Sequence, residues 1–156
     1  MRRRPLRHFF IILVCWGLLP LNLTPMAMAQ PNLCTEAAFA PLAQGYQALR
    51  AGNDEQARQE FNKVIKVDPH NPYALNNLAV LAERQGKLKE AMSFLLDAET
   101  YAAEYLYKAD EICEAGGLCL AVVPSTQKSQ ASSIASIIHS NINLLREKIA
   151  KTNTIN

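Results

Sequence analysis

The sequence predicts an all-α fold: a short solenoid of helix–turn–helix units closed by a C-terminal capping helix. Three observations predict it. Positions recur at a spacing of 34 residues through the middle of the chain: Ala40 with Ala74, Ala48 with Ala82, Arg50 with Arg84, Gly52 with Gly86, and Ala57 with Ala91. Each period divides at a glycine into two stretches with helical apolar spacing. Near the C-terminus, Ile134, Ile137, Ile138, Ile142, Leu145 and Ile149 form a stripe with a 3.6-residue repeat. Repeats of this length mean stacked units, each burying its apolar face on a neighbour.

The elements follow in order. Leu42, Gly45, Ala48 and Leu49 mark a first helix that Gly52 ends, because glycine accepts the left-handed conformation common just past a helix. Asn53 and Asp54 are capping residues for the second helix, whose inner stripe is Ala57, Phe61, Val64 and Ile65. Asp68-Pro69 stops it. Asn71 then caps a third helix, with Pro72 at the first helical position, where a missing N–H costs nothing. Leu75, Leu78, Ala79 and Ala82 carry that helix to Gly86, and Leu88, Ala91, Leu95 and Ala98 carry the fourth. The stretch 87–115 holds no glycine or proline before Gly116-Gly117. It reads either as one long helix or, with a break near Ala102-Ala103, as a degenerate third unit with Tyr105, Ala109 and Ile112 inside. Leu118 to Val123 is a short apolar stretch closed by Pro124, and the following polar stretch reads as a loop.

The first residues read as an address. Arg2, Arg3, Arg4 and Arg7 precede the apolar run Phe9 to Leu19, and Ala27-Met28-Ala29 offers small residues where a signal peptidase needs them. A membrane span needs about 20 apolar residues, and Pro20 with Asn22 interrupts this run early. The expected organisation is a cleaved secretory signal at 1–29, a helical array with a cysteine-clipped loop at 30–128, and an amphipathic capping helix at 129–150. The array's repeats fall at about 38–71 and 72–105. Cleavage places the chain in the periplasm or outside the cell, with no stable membrane anchor. Loss of the four arginines turns the net charge from +2 to −2, which argues against nucleic acid as a partner, since that needs a basic stripe.

The small residues Gly45 and Ala57 with Phe61 and Pro69 in the first unit, and Ala79, Ala91, Leu95 and Ala98 in the second, resemble the tetratricopeptide repeat (TPR) family. In that family small residues let paired helices approach closely. The resemblance covers roughly residues 38–103. It implies a binding scaffold whose first helices line a concave groove. The groove positions it assigns are Phe39, Leu42, Tyr46, Leu49 and Arg50 in the first unit, and Tyr73, Asn76, Asn77, Val80, Glu83 and Arg84 in the second. Leu42, Tyr46 and Tyr73 replace the polar groups with which some family members clamp a peptide carboxylate. The remaining strip suits an apolar or aromatic-rich segment of another protein, with arginine at its edge. The competing occupant is the chain's own terminal helix or N-terminal segment.

Candidate chemistry is sparse. His70 and His139 are the histidines left after cleavage, and they sit in a turn and beside an apolar pair. No nucleophile–base–acid set, phosphate loop or metal-ligand spacing can be assembled, so no enzyme, cofactor or metal is expected. Cys113 and Cys119 flank Gly116-Gly117 and are expected to be bridged in an oxidising compartment. Cys34 is then left over, and three cysteines allow three single bridges. The function these readings support is a non-catalytic envelope adaptor binding another protein or peptide. The alternative is a structural or assembly subunit of a larger envelope or secretion complex. Homo-oligomerisation stays open.

Overall fold

The computed structural model describes residues 36–123, 125 and 131–155 of the 156-residue chain. The stretch read as a signal, the expected cleavage point and Cys34 lie outside the described residues.

Four helices come first: α1 (Glu36–Arg50), α2 (Asp54–Val67), α3 (Pro72–Arg84) and α4 (Leu88–Tyr101). Their boundaries follow local chemistry. Gly52 and Gly86 hold φ of 75° and 72° where α1 and α3 stop. The Asn53 side chain accepts from the Gln56 N–H at 3.1 Å, and that of Asn71 accepts from the Ala74 N–H at 3.1 Å. Each thereby satisfies a donor the first helical turn leaves open. Pro72 begins α3 as the sequence requires.

Helices pair closely where side chains are small. Gly45 of α1 faces the Phe61 ring of α2, and a Cβ there would lie 2.8 Å from Phe61 Cδ1. Ala57 and Phe61 in the first unit, and Ala79, Ala91, Leu95 and Ala98 in the second, are all fully buried. Sequence spacing thus carries directly into packing.

The segment after α4 departs from expectation. Neither a single long helix over 87–115 nor a third helical unit forms. A 3-10 turn at Ala102–Glu104 follows α4, and then come β1 (Lys108–Cys113), β2 (Cys119–Val122) and β3 (Ser132–Ser133). The strands make an antiparallel sheet in the order β2–β1–β3. Tertiary contacts override helix propensity here. The Tyr105 hydroxyl donates to the Asp68 carboxylate at 2.8 Å, and the Tyr73 hydroxyl to the Tyr107 carbonyl at 2.5 Å, drawing the chain out of the helical path. Ile112, read as an inner residue, is exposed and pairs with Leu120 across the sheet.

The final helix α5 (Ile134–Ile155) starts after β3 and runs past the predicted end at residue 150. Its stripe is placed as read: Ile134, Ile137, Ile138, Ile142 and Leu145 are buried, and Ile149 is half-buried. It packs on α4 and closes the stack. No helix among the described residues is long and apolar enough to cross a membrane.

Candidate protein-interaction site

The sequence assigns the concave face to α1 and α3. In the folded chain α3 is buried from Pro72 to Glu83, because α2, α4, β2 and α5 all pack on it. A two-unit array has more apolar surface than it can cover alone. Leu118, Leu120 and Val123, all buried, supply the missing cover. Among the described residues the occupant is the chain itself: β2 lies on α3, and Asn141 and Lys148 of α5 reach Asn76 and Glu83 beside it.

Three asparagines hold that strand by its main chain. Asn77 Oδ1 accepts from the Ala121 N–H at 2.9 Å, and Asn77 Nδ2 donates to the Ala121 carbonyl at 2.9 Å. Asn141 of α5 does the same two residues earlier: Oδ1 accepts from the Cys119 N–H at 2.7 Å, and Nδ2 donates to the Cys119 carbonyl at 2.7 Å. Asn76 links the two, donating to the Cys119 carbonyl at 3.0 Å and accepting from Asn141 at 2.8 Å. All three side chains are buried. A β-strand repeats every two residues, so alternate backbone groups point to one side. The amides occupy that side of β2 as a neighbouring strand would, while β1 occupies the other.

This geometry redistributes the predicted partner-binding residues. Leu42, Tyr73, Asn76, Asn77 and Val80 are buried and face no solvent. Arg84 spans Asp54, at 3.2 Å, and Glu114 beyond β1, so it ties the hairpin to the array. Phe39 meets Tyr107 edge-on at 5.2 Å. Tyr46 is half-buried with the Arg50 guanidinium 6.0 Å above its ring, and Arg50 is exposed. Tyr73, assigned to the groove with Tyr46, is instead in the core, edge-on to Tyr105 at 5.9 Å, so the two rings share no exposed face. Tyr73→Phe should lower stability by ~1 kcal/mol through the lost hydroxyl donor, read as a shift in urea midpoint with unchanged slope.

Sequence reasoning missed Asn141. The signal was present: Asn141 stands four residues after Ile137 and three after Ile138, a polar residue on an otherwise apolar stripe. Such a residue implies a buried hydrogen-bond partner.

Cys113 and Cys119 are joined, as their spacing predicts. They sit opposite one another on β1 and β2, with Cys113 exposed and Cys119 buried. Gly116, at φ 74°, turns the hairpin between them. The Glu111 carboxylate lies within 4.8 Å of both sulfurs, but the bond between the sulfurs removes them as thiolate ligands. His70 stacks on Tyr101 at 4.1 Å, its Nδ1 3.3 Å from Asp97 Oδ1, and His139 lies 4.0 Å from Glu99. Both histidines are exposed.

The tetratricopeptide repeat family pattern matches residues 48–109, from the end of α1 through α4 into β1. Over these residues the chain is similar to tetratricopeptide repeats. A TPR repeat-containing protein of Methanocaldococcus jannaschii is 39% identical over 56 residues, which is 35% of this chain and 10% of that protein. The chain thus spans about a tenth of the length of the curated relative it matches. No solved structure matches the chain. TPR units generally mediate protein–protein contact and are generally not catalytic.

Proposed function

We propose that this TPR chain is a non-catalytic adaptor of the cell envelope that binds an apolar or aromatic segment of another protein. The observation that carries the reading is the α1 strip of Phe39, Tyr46 and Arg50. These positions are spaced by seven and four residues, so they share one helix face. With Arg84, which is tied to Asp54 and Glu114, they are the predicted groove residues that are not buried. An aromatic edged by arginine is the composition that interface anchors favour.

The test is capture of a partner from the host's envelope fraction, followed by affinity measurement with the purified pair. Tyr46→Ala should weaken binding roughly thirtyfold, or ~2 kcal/mol, and leave helical circular dichroism unchanged. Wild-type affinity in both Tyr46→Ala and Arg50→Ala would move the partner surface off α1.

The envelope location rests on the basic, apolar and small-residue pattern of residues 1–29. Intact mass of the protein from that fraction should match a chain beginning at Gln30, free or as pyroglutamate. A mass retaining Met1 to Ala29 rejects the cleavage.

A further inference from the structure

The disulfide joins two sulfurs with opposite surroundings. Cys119 is 3% exposed, stands between the buried Leu118 and Leu120, and has both its N–H and its carbonyl held by Asn141. Cys113 is exposed, as are its neighbours Glu111, Ile112, Glu114 and Ala115. Hydrogen bonding shows which way its open side faces. Asn77 and Asn141 take the outward main-chain groups of Ala121 and Cys119, so Leu120 and Val122 turn theirs to Ile112 and Asp110 of β1. The main-chain groups of Glu111 and Cys113 therefore point off the far edge of β1. On that edge β3 pairs with Lys108 and Ala109, and among the described residues no strand pairs there with Cys113.

A thiolate breaks a disulfide by attacking one sulfur in line with the bond, so access to each sulfur decides which is attacked. Attack on Cys113 comes from solvent and releases Cys119 on the inner side. Attack on Cys119 would have to pass through the core cluster to which Cys119 belongs. One carboxylate stands beside the bond. Glu111 Oε1 lies 3.9 Å from Cys113 Sγ, and the same side chain is within 4.8 Å of both sulfurs. Its negative charge opposes an approaching thiolate and also the thiolate that leaves.

We infer that Cys113 is the thiol–disulfide exchange site of this chain, with Cys119 as its resolving sulfur and Glu111 as a brake on the reaction. The co-reactant is a solvent-borne disulfide donor when the bond forms and a solvent-borne thiol when it breaks. In the forming direction the Cys113 thiolate attacks the donor disulfide, joins one of its sulfurs and expels the other as a thiolate. The Cys119 thiolate, opposite Cys113 in the strand register, then attacks Cys113 Sγ and expels the remaining donor sulfur. Two protein thiols lose two electrons and two protons, and the donor is reduced to two thiols. Breaking runs the same steps backwards: a thiolate joins Cys113, and Cys119 leaves as a thiolate and takes up a proton. The strands keep their places throughout, since Cys113 is reached from solvent. None of this rests on the α1 reading.

The experiment uses the oxidised full chain carrying Cys15→Ser and Cys34→Ser, which leaves Cys113 and Cys119 as its cysteines. The native protein is exposed briefly to reduced glutathione and quenched with excess N-ethylmaleimide. Peptide mass mapping should find glutathione on Cys113 and maleimide on Cys119, in at least about tenfold excess over the reverse, because the reverse needs a local opening. In urea, where the cover of Cys119 is lost, the two products should approach parity. Equal or reversed labelling in the native chain overturns the assignment, as does a bias that persists unchanged in urea. Glu111→Gln should speed bond breaking in the native chain about fivefold, the weight of one unit charge at ~4 Å in water. An unchanged or slower rate in that variant overturns the brake and leaves the labelling result to decide the rest. Neither failure bears on Tyr46.

Discussion

Asn141→Leu should destabilise the protein by ~2–4 kcal/mol, because two buried polar groups lose partners while the side-chain volume is nearly kept. The Cys119 N–H has Asn141 Oδ1 as its acceptor, and Asn76 Oδ1 has Asn141 Nδ2 as its donor. The Cys119 carbonyl keeps a donor in Asn76 Nδ2 at 3.0 Å, which bounds the loss. Asn77→Leu should cost a similar amount, since the Ala121 N–H and carbonyl both depend on that one amide. The double variant should cost less than the sum, as Asn76 couples the two sites. Urea titration followed by circular dichroism reads all three. A loss under ~0.5 kcal/mol for either single variant, the range of ordinary surface substitutions, would mean that the amides do not hold the strand.

The same residues show what was legible beforehand. A 34-residue period, two glycine stops and two asparagine caps are local signals, and each survives into the fold at Gly52, Gly86, Asn53 and Asn71. The α5 stripe was equally legible, because six apolar residues at helical spacing have one way to be buried together. The strands were not. Residues 108–113 lack a helix breaker, and their extended state is set by partners distant in sequence: Asp68 for Tyr105, Tyr73 for Tyr107 and Leu120 for Ile112. One local hint existed, since Gly116-Gly117 between Ile112-Cys113 and an apolar run is also a hairpin signal. The residues assigned to the concave face lie on α1 and α3, and their exposure depends on what packs over those helices, β2 among it. Asn76 and Asn77 were singled out as partner contacts, and they do bind an extended chain segment, which is the protein's own.

Gly45→Leu should be the most damaging single substitution in the first unit. The α1–α2 pair meets where the Gly45 backbone faces the Phe61 ring, and the first added carbon already falls 2.8 Å from Phe61 Cδ1 and Cζ. Phe61 is fully buried, so its ring has no open space to swing into. Overpacking of this kind costs ~1–3 kcal/mol and occasionally more, a large part of the ~5–15 kcal/mol that holds a domain folded. Gly45→Ala sets the lower bound, since one methyl demands a ring shift and no more. The cause can be separated from helix propensity, which by itself favours alanine over glycine inside α1 by ~1 kcal/mol. Phe61→Leu removes the opposing ring at a cost of its own from lost packing. Added to Gly45→Ala, it should recover part of the loss, giving a favourable coupling in the double-mutant cycle. Ala91→Leu in the second unit should also be harmful, as Ala91 is fully buried. Thermal melts of the five variants decide it. A Gly45→Ala chain as stable as the parent would show that α1 and α2 have slack at this crossing, and small-residue packing would no longer explain the pairing of the first unit.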